Sequence, residues 1–218
     1  MSHAHDKSYV PKGIILGEPA WDVAQLFPNQ RAWSELDYLN LDTNHLVEFS
    51  NGVVEFLPTP TLTHQLIAMF LYRCLESFVS ANDLGTVVIA AFKVRLWEEK
   101  YREPDVIFIR QEHASRLTEQ YCDGADLVME VVSDGDDDRR RDLKTKREEY
   151  ALAAIPEYWI VDPKLGRITV LTLDGANYAV HGEFSMGEQA TSKLLLGFVV
   201  DVTSALAAAR KNNGGSTR

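Results

Sequence analysis

Two carboxylates and a lysine hold positions in this chain that suit metal-assisted phosphoryl chemistry. Asp105 sits in Arg-Glu-Pro-Asp-Val-Ile-Phe-Ile, and Glu130 sits in Asp-Leu-Val-Met-Glu-Val-Val-Ser. Lys146 follows on a helical stretch, in Asp-Leu-Lys-Thr-Lys-Arg-Glu-Glu-Tyr-Ala. Both acids lie inside short, β-rich apolar runs, where a charge without a partner is costly to bury. On neighbouring strands they would repel unless a cation stood between them. The simplest such cation is a hard, oxygen-seeking Mg²⁺ or Mn²⁺. A lysine nearby suits a reaction in which charge builds on non-bridging phosphate oxygens.

Each residue also has a plain structural reading. Asp105 would cap a strand, and Glu130 would be a buried acid paired with an arginine such as Arg102. Lys146 would be a solvated helix residue paired with Asp142, since Asp142, Lys146 and Tyr150 share a helical face. His64, at a helix start, reads as a capping or packing residue rather than a ligand. An acid inside Leu-Val-Met-Glu-Val-Val is expensive to keep without a purpose, and this favours the chemical reading.

The elements that must position these residues follow from pattern. Residues 1–30 hold Pro11, Gly13, Gly17, Pro19 and Pro28 without periodicity and read as an arm. A short helix is expected over 33–39. Residues 45–57 form a hairpin signal around Asn51-Gly52, which supplies positive φ angles for a tight turn. Thr63 is expected to cap a helix to about residue 81, with Ile67, Phe70, Leu71, Cys74 and Phe78 at helical spacing. Gly85 ends that region. Residues 86–97 read as one long strand, and 104–109 and 126–133 as strands in the middle of a covered sheet. After the acidic turn Asp134–Asp138, a helix over 138–154 presents Leu143, Tyr150, Ala151 and Ala154 on one side, and Pro156 stops it. Glu157–Val161 is a further strand, and a hairpin crosses Asp174-Gly175. Leu195–Val202 adds a strand, and Thr203 caps a last helix. Arg139-Arg140-Arg141 reads as a solvated surface neutralised by the aspartates before it. Residues 208–218 form a polar tail. The order predicts one α/β domain over 31–207 around a mixed central sheet.

Composition narrows the function. With 218 residues, 45% of them hydrophobic, the chain can bury a sizeable single-domain core. Cys74 and Cys122 are too few for a disulfide scaffold and lack zinc-site spacing. No apolar run would span a membrane, and the first residues lack a signal peptide's apolar segment, so a cytoplasmic protein is expected. The net charge of −10 argues against tight, nonspecific nucleic-acid binding. Glycine-rich phosphate loops and a Gly-x-Ser-x-Gly elbow are absent, which sets aside kinases, dehydrogenases and α/β-hydrolases.

Taken in order, several strings resemble one known family. They are Pro104-Asp105-Val106, Leu127 to Ser133, Asp142 with Lys146 and Tyr150, and Pro156-Glu157-Tyr158-Trp159-Ile160-Val161-Asp162-Pro163. Glu48, Asn51-Gly52, His64-Gln65 and Leu196-Gly197 extend the likeness to roughly residues 30–205. The set resembles the Uma-two family, described as restriction endonucleases of the PD-(D/E)XK nuclease superfamily. The resemblance implies a restriction-endonuclease-like fold and hydrolysis of DNA phosphodiester bonds with Mg²⁺ or Mn²⁺, with a homodimer supplying two sites. Asp105 and Glu130 would bind the ion with the Val131 backbone carbonyl, and Lys146 would assist the water. Glu48 would bind a second metal or order a water. The superfamily usually carries its lysine two residues after the second acid, where this chain has Val132, so Lys146 on the next helix takes that place. Two departures stand out: Val53 follows the Asn-Gly turn where the family commonly has an acid, and Asp134-Gly135-Asp136-Asp137-Asp138 puts four carboxylates near the phosphate position. They motivate a rival, a nucleic-acid-binding or regulatory module that keeps the fold without turnover.

Overall fold

The apolar runs that carry Asp105 and Glu130 become the middle of a sheet covered on both faces. The structure is a computed structural model that describes residues 27–209 except 44, 134 and 136–138. Most of the expected arm, the tail from residue 210 and the four aspartates of the acidic turn therefore lie outside the described residues.

In chain order, α1 (Glu35–Leu39) leads to the hairpin β1 (Val47–Ser50) and β2 (Val53–Phe56), then to the long helix α2 (Leu62–Ala81). Strands β3 (Gly85–Ile89), β4 (Lys93–Trp97), β5 (Lys100–Arg102) and β6 (Val106–Arg110) follow. A 3₁₀ turn (Gln111–Arg116), β7 (Tyr121–Asp123) and β8 (Leu127–Val131) come next. A π-helical turn (Arg141–Thr145) runs into α3 (Lys146–Leu152). The chain then adds β9 (Glu157–Asp162), β10 (Arg167–Asp174), β11 (Asn177–Ser185), β12 (Gln189–Thr191), β13 (Val199–Asp201) and α4 (Val202–Ala207).

The central sheet has the order β11-β10-β9-β8-β6-β3. Its pairings are antiparallel except β8 with β9, which is parallel. A parallel pair needs a crossover, and the segment carrying α3 provides it. Alternation along the strands then sorts the side chains. Leu127, Met129 and Val131 pack with Val106, Phe108 and the α2 residues Ile67, Leu71 and Leu75. Val128 and Val132 pack on the other face with Ile107, Ile109 and the α3 residues Tyr150 and Ala151. A second sheet, β2-β1-β5-β4-β7, has its own core of Trp33, Tyr38, Phe49, Val54 and Tyr101.

The expected α/β architecture is observed, and the differences are local. The run 86–97 is two strands in two sheets, because the chain leaves the central sheet after Ile89 and enters the second at Lys93. Gly85 opens β3 rather than ending the helix region; at φ +147° its missing Cβ would stand 2.1 Å from the Ile109 carbonyl oxygen. Thr61, not Thr63, caps α2, since Thr61 keeps an extended backbone and its side chain accepts the His64 N–H. Only Val199–Asp201 of the run 195–202 is strand, because Gly197 turns the chain at φ +91°. Asp201 caps α4 through the Ser204 N–H at 2.7 Å, while Thr203 accepts the Gly187 N–H. Leu143, inside the π turn, is exposed while Tyr150 and Ala151 stay buried, and Ala154 is exposed because it lies past the end of α3 at φ +55°. No helix among the described residues is long and apolar enough to cross a membrane.

Candidate active site

Asp105 lies just before the first residue of β6, an interior strand of the central sheet, and Glu130 is the penultimate residue of β8. The antiparallel register Val106↔Met129 brings the two acids next to one another. Both are buried. Asp105 Oδ2 accepts the Val131 N–H at 2.7 Å, which locks its carboxylate against the end of β8. Glu130 takes both its hydrogen bonds on Oε1, from Lys146 Nζ at 2.7 Å and from the Tyr150 hydroxyl at 2.6 Å. Neither Asp105 Oδ1 nor Glu130 Oε2 has a hydrogen-bond partner among the described residues.

Lys146 reaches this point from α3 on the opposite layer. Its ammonium also stands 3.4 Å from Asp142 Oδ1 and 3.5 Å from Glu48 Oε1, and the side chain is 3% exposed. Burial alone would lower its pKa, but the three carboxylates outweigh burial and raise it, so Lys146 keeps its proton. The solvated reading of Lys146 is thus replaced by a buried one, although the pairing with Asp142 is real. Burial raises the Glu130 carboxyl to about 8, with Asp105 and Asp142 adding to the effect and Lys146 opposing it.

Glu48 comes from β1, and it is fully buried rather than solvent-facing as hairpin acids usually are. The Arg102 guanidinium of β5 bonds its Oε2 and forks onto Glu149 of α3, at 2.7 and 2.9 Å. Lys100 also reaches Glu149, at 2.6 Å. Burial would raise the pKa of Glu48, but Lys146 and Arg102 overcome it and hold the carboxyl below its ordinary value. Glu48 therefore stands behind Lys146, outside the lining of the pocket. Arg102 pairs with Glu48 and Glu149, not with Glu130. Glu157 turns away from the site; it accepts from Trp159 Nε1, Ser192 Oγ and the backbone N–H groups of Lys193 and Leu194.

The arginines that lead into the π turn, Arg139 before it and Arg141 opening it, are not a simple solvated surface. Arg139 forks onto Asp162 at 3.1 and 2.6 Å, and Arg141 reaches Glu55 at 3.5 Å. They fasten the crossover to the ends of β9 and β2.

Sequence reasoning missed His64. Its backbone N–H takes the Thr61 cap, as expected of a residue in the first helical turn, but its ring points into the site. Nε2 lies 3.2 Å from Asp105 Oδ2, and Nδ1 is buried with no hydrogen-bond partner. Burial disfavours the imidazolium, yet the hydrogen bond with Asp105, the Asp105 and Glu130 charges and the Val131 backbone together raise the His64 pKa. A polar residue one turn into a helix, three places after its cap, was the available signal, and capping explained it too easily.

A pocket of about 40 Å³ holds His64, Glu103, Asp105, Glu130, Asp142 and Lys146. It has room for a hydrated ion but not for a nucleotide. Larger hollows of about 370 and 410 Å³ open on either side of it, and His64 and Pro60 line both. One is rich in hydroxyls, with Thr59, Thr61, Thr63 and Ser133. The other is apolar, with Leu46, Ala68, Met69 and Ile89. The whole is a groove with the acids at its floor.

The donor set fits a divalent ion. Four carboxylates line the small pocket against Lys146 and Arg141, and among them Asp142 Oδ1 is buried without a hydrogen bond. Hard oxygens of this kind suit Mg²⁺ or Mn²⁺. Among the described residues no three His, Cys, Asp or Glu side chains already converge on one ion position.

Comparison with known proteins agrees with the fold. A crystal structure described as a "putative nuclease belonging to DUF820" from Anabaena variabilis superposes with a TM-score of 0.65 at 13% identity, covering 84% of this chain and 99% of the other. At that identity the likeness speaks for the fold alone. No curated protein matches the sequence significantly. The model of the Uma2 family, described as "putative restriction endonuclease", matches residues 33–203. That span takes in most of the chain and every residue of the groove described above, and the chain belongs to the Uma2 family.

Proposed function

We propose that this protein is a metal-dependent endonuclease that hydrolyses phosphodiester bonds in DNA. The observation that supports this most is the pair Asp105 and Glu130 on adjacent strands, with Lys146 against Glu130, at the floor of a groove. Asp105, Glu130 and the Val131 carbonyl would hold Mg²⁺ or Mn²⁺. When bound, such an ion polarises a phosphate oxygen and acidifies a water.

The chain's own groups divide the remaining work. Lys146 is held charged by three carboxylates, so it does not take a proton from the attacking water. It orients Glu130 and supplies positive charge where the phosphate oxygens gain negative charge. Glu48 acts through Lys146: Arg102 occupies one of its oxygens and the other faces the ammonium, so Glu48 positions the lysine. The two hollows beside the small pocket receive the groups flanking the scissile phosphate. A homodimer would supply the two sites needed to cut both strands.

The test is nicking of supercoiled plasmid by purified protein in Mn²⁺ or Mg²⁺, with EDTA, Asp105→Ala and Lys146→Ala controls. Metal-dependent nicking lost in both variants, each still folded by circular dichroism, is the expected result. No cutting together with no metal-induced rise in melting temperature would sink the proposal.

A further inference from the structure

We infer that His64 is a nitrogen ligand of the ion held by Asp105 and Glu130, and that it makes the site select a first-row transition ion such as Mn²⁺ over Mg²⁺. The inference rests on the metal reading above and goes past it by naming a third side chain and the kind of ion. His64 and Pro60 line the small pocket and both hollows beside it, and of the two only His64 carries a side-chain atom that can bind an ion. It enters from α2, on the layer opposite Lys146, so the floor is closed by a cation on one side and an imidazole on the other.

The distances suit a shared ion. Ligand atoms about 2.1 Å from an octahedral ion stand roughly 3 Å apart along each edge. His64 Nε2 is 3.2 Å from Asp105 Oδ2. That oxygen spends one lone pair on the Val131 N–H, at 2.7 Å, and retains another. The ring shares the small pocket with Asp105, Glu130 and Val131, which are the groups named above as ligands. Nδ1 is buried and has no hydrogen bond, and Nε2 faces Asp105 Oδ2 at 3.2 Å, so an ion entering here would take the place of the proton that Nε2 shares with that carboxylate.

Imidazole favours first-row transition ions, whereas Mg²⁺ prefers a shell made only of oxygen. Adding one nitrogen to two carboxylates and a carbonyl therefore separates the two ions without excluding either.

Untagged full-length protein, stripped with EDTA and loaded with less than one equivalent of Mn²⁺, provides the test. Pulsed electron paramagnetic resonance reads nitrogen bound to Mn²⁺, and titration calorimetry reads affinity for Mn²⁺ and Mg²⁺ separately. Wild type is expected to show nitrogen modulation. His64→Gln, of similar size and with an oxygen to offer, is expected to lose the modulation and to bind Mn²⁺ about tenfold or more weakly, with a smaller change for Mg²⁺. Mn²⁺ binding that needs Asp105 but shows no nitrogen modulation in wild type would overturn the inference and leave the metal site standing. Nitrogen modulation that persists in folded His64→Gln would overturn it as well, by tracing the signal to another histidine. Absence of Mn²⁺ binding in wild type would overturn the metal site itself, and the inference with it.

Discussion

Lys146 is the residue on which most of the site's electrostatics turns. Glu130, Glu48 and Asp142 all face its ammonium, and none of the four is open to solvent. Removing one partner of a buried ionic cluster leaves the rest uncompensated, which costs about 3–5 kcal/mol. Lys146→Met is therefore expected to lower the melting temperature by roughly 6–20 °C, at about 2–4 °C per kcal/mol for a chain of this size. Adding Glu130→Gln should restore part of that loss in a calorimetric melt. A full additive loss in the double variant would mean that the two side chains do not act as a unit.

Acid pH probes the same region from the far side of Lys146. The Glu48 and Glu149 carboxyls are both held below their ordinary value: burial opposes this in each case, and Lys146 with Arg102, or Arg102 with Lys100, outweighs it. Below the ordinary carboxylate value the unfolded chain binds protons that the folded chain refuses. Stability from these groups is thus complete above about pH 4.5 and is lost as pH falls through the lowered values. Melting temperature followed against pH should drop steeply below that point, and Arg102→Met should flatten the drop. At this scale the burial of Asp105 and Glu130 was legible, because a charge in an apolar run stands out, whereas Lys146 sits among charged neighbours and its burial did not show. The Arg102 network was not, since its partners are 47 and 54 residues away and share no local pattern.

The elements deliver these residues through a few exact placements of backbone. Gly85 starts β3 with the neighbouring strand end so close that an added Cβ would overlap the Ile109 carbonyl and the Arg110 backbone. Gly85→Ala is expected to cost about 1–3 kcal/mol, from strain at positive φ and a backbone that must move away. Chemical denaturation reads this as a lower midpoint with unchanged slope. The two-sheet path of residues 85–97 was hidden because the alternation of Phe92, Val94 and Leu96 is the same whether the strand is one or two. The hairpin at Asn51-Gly52 was visible because its turn needs positive φ, which both residues adopt at +47° and +76°. The π turn was not visible: a single widened turn leaves no mark on apolar spacing beyond leaving Leu143 exposed.

At the scale of the whole molecule, the net charge of −10 sets the terms on which a nucleic acid approaches. Affinity for a phosphate backbone rests largely on Lys and Arg contacts that release counterions. Fluorescence anisotropy in EDTA at physiological salt is expected to show no binding to duplex DNA at micromolar protein. With a divalent ion present and Asp105→Asn used to block metal loading, a gain in wild type alone would mark the site itself as the source of attraction. Tight, metal-independent binding would place that attraction on another surface. Overall fold class was readable from the order of elements, whereas the division of strands between the central and the second sheet depends on contacts between distant strands that no local pattern encodes.

The parallel pairing of β8 and β9 also governs when the chemistry first exists. Asp105 and Glu130 are made well before Glu157–Asp162, yet β8 is held in the middle of the sheet only when β9 has closed across it. Lys146 lies on the crossover between those strands, so it reaches Glu130 only as that long loop shuts. Non-local closures of this kind are slow, because loop entropy is spent before the contacts repay it. During synthesis, a chain released early carries both acids but no assembled floor. In refolding, metal affinity should return with the last cooperative phase rather than with the first gain of helix.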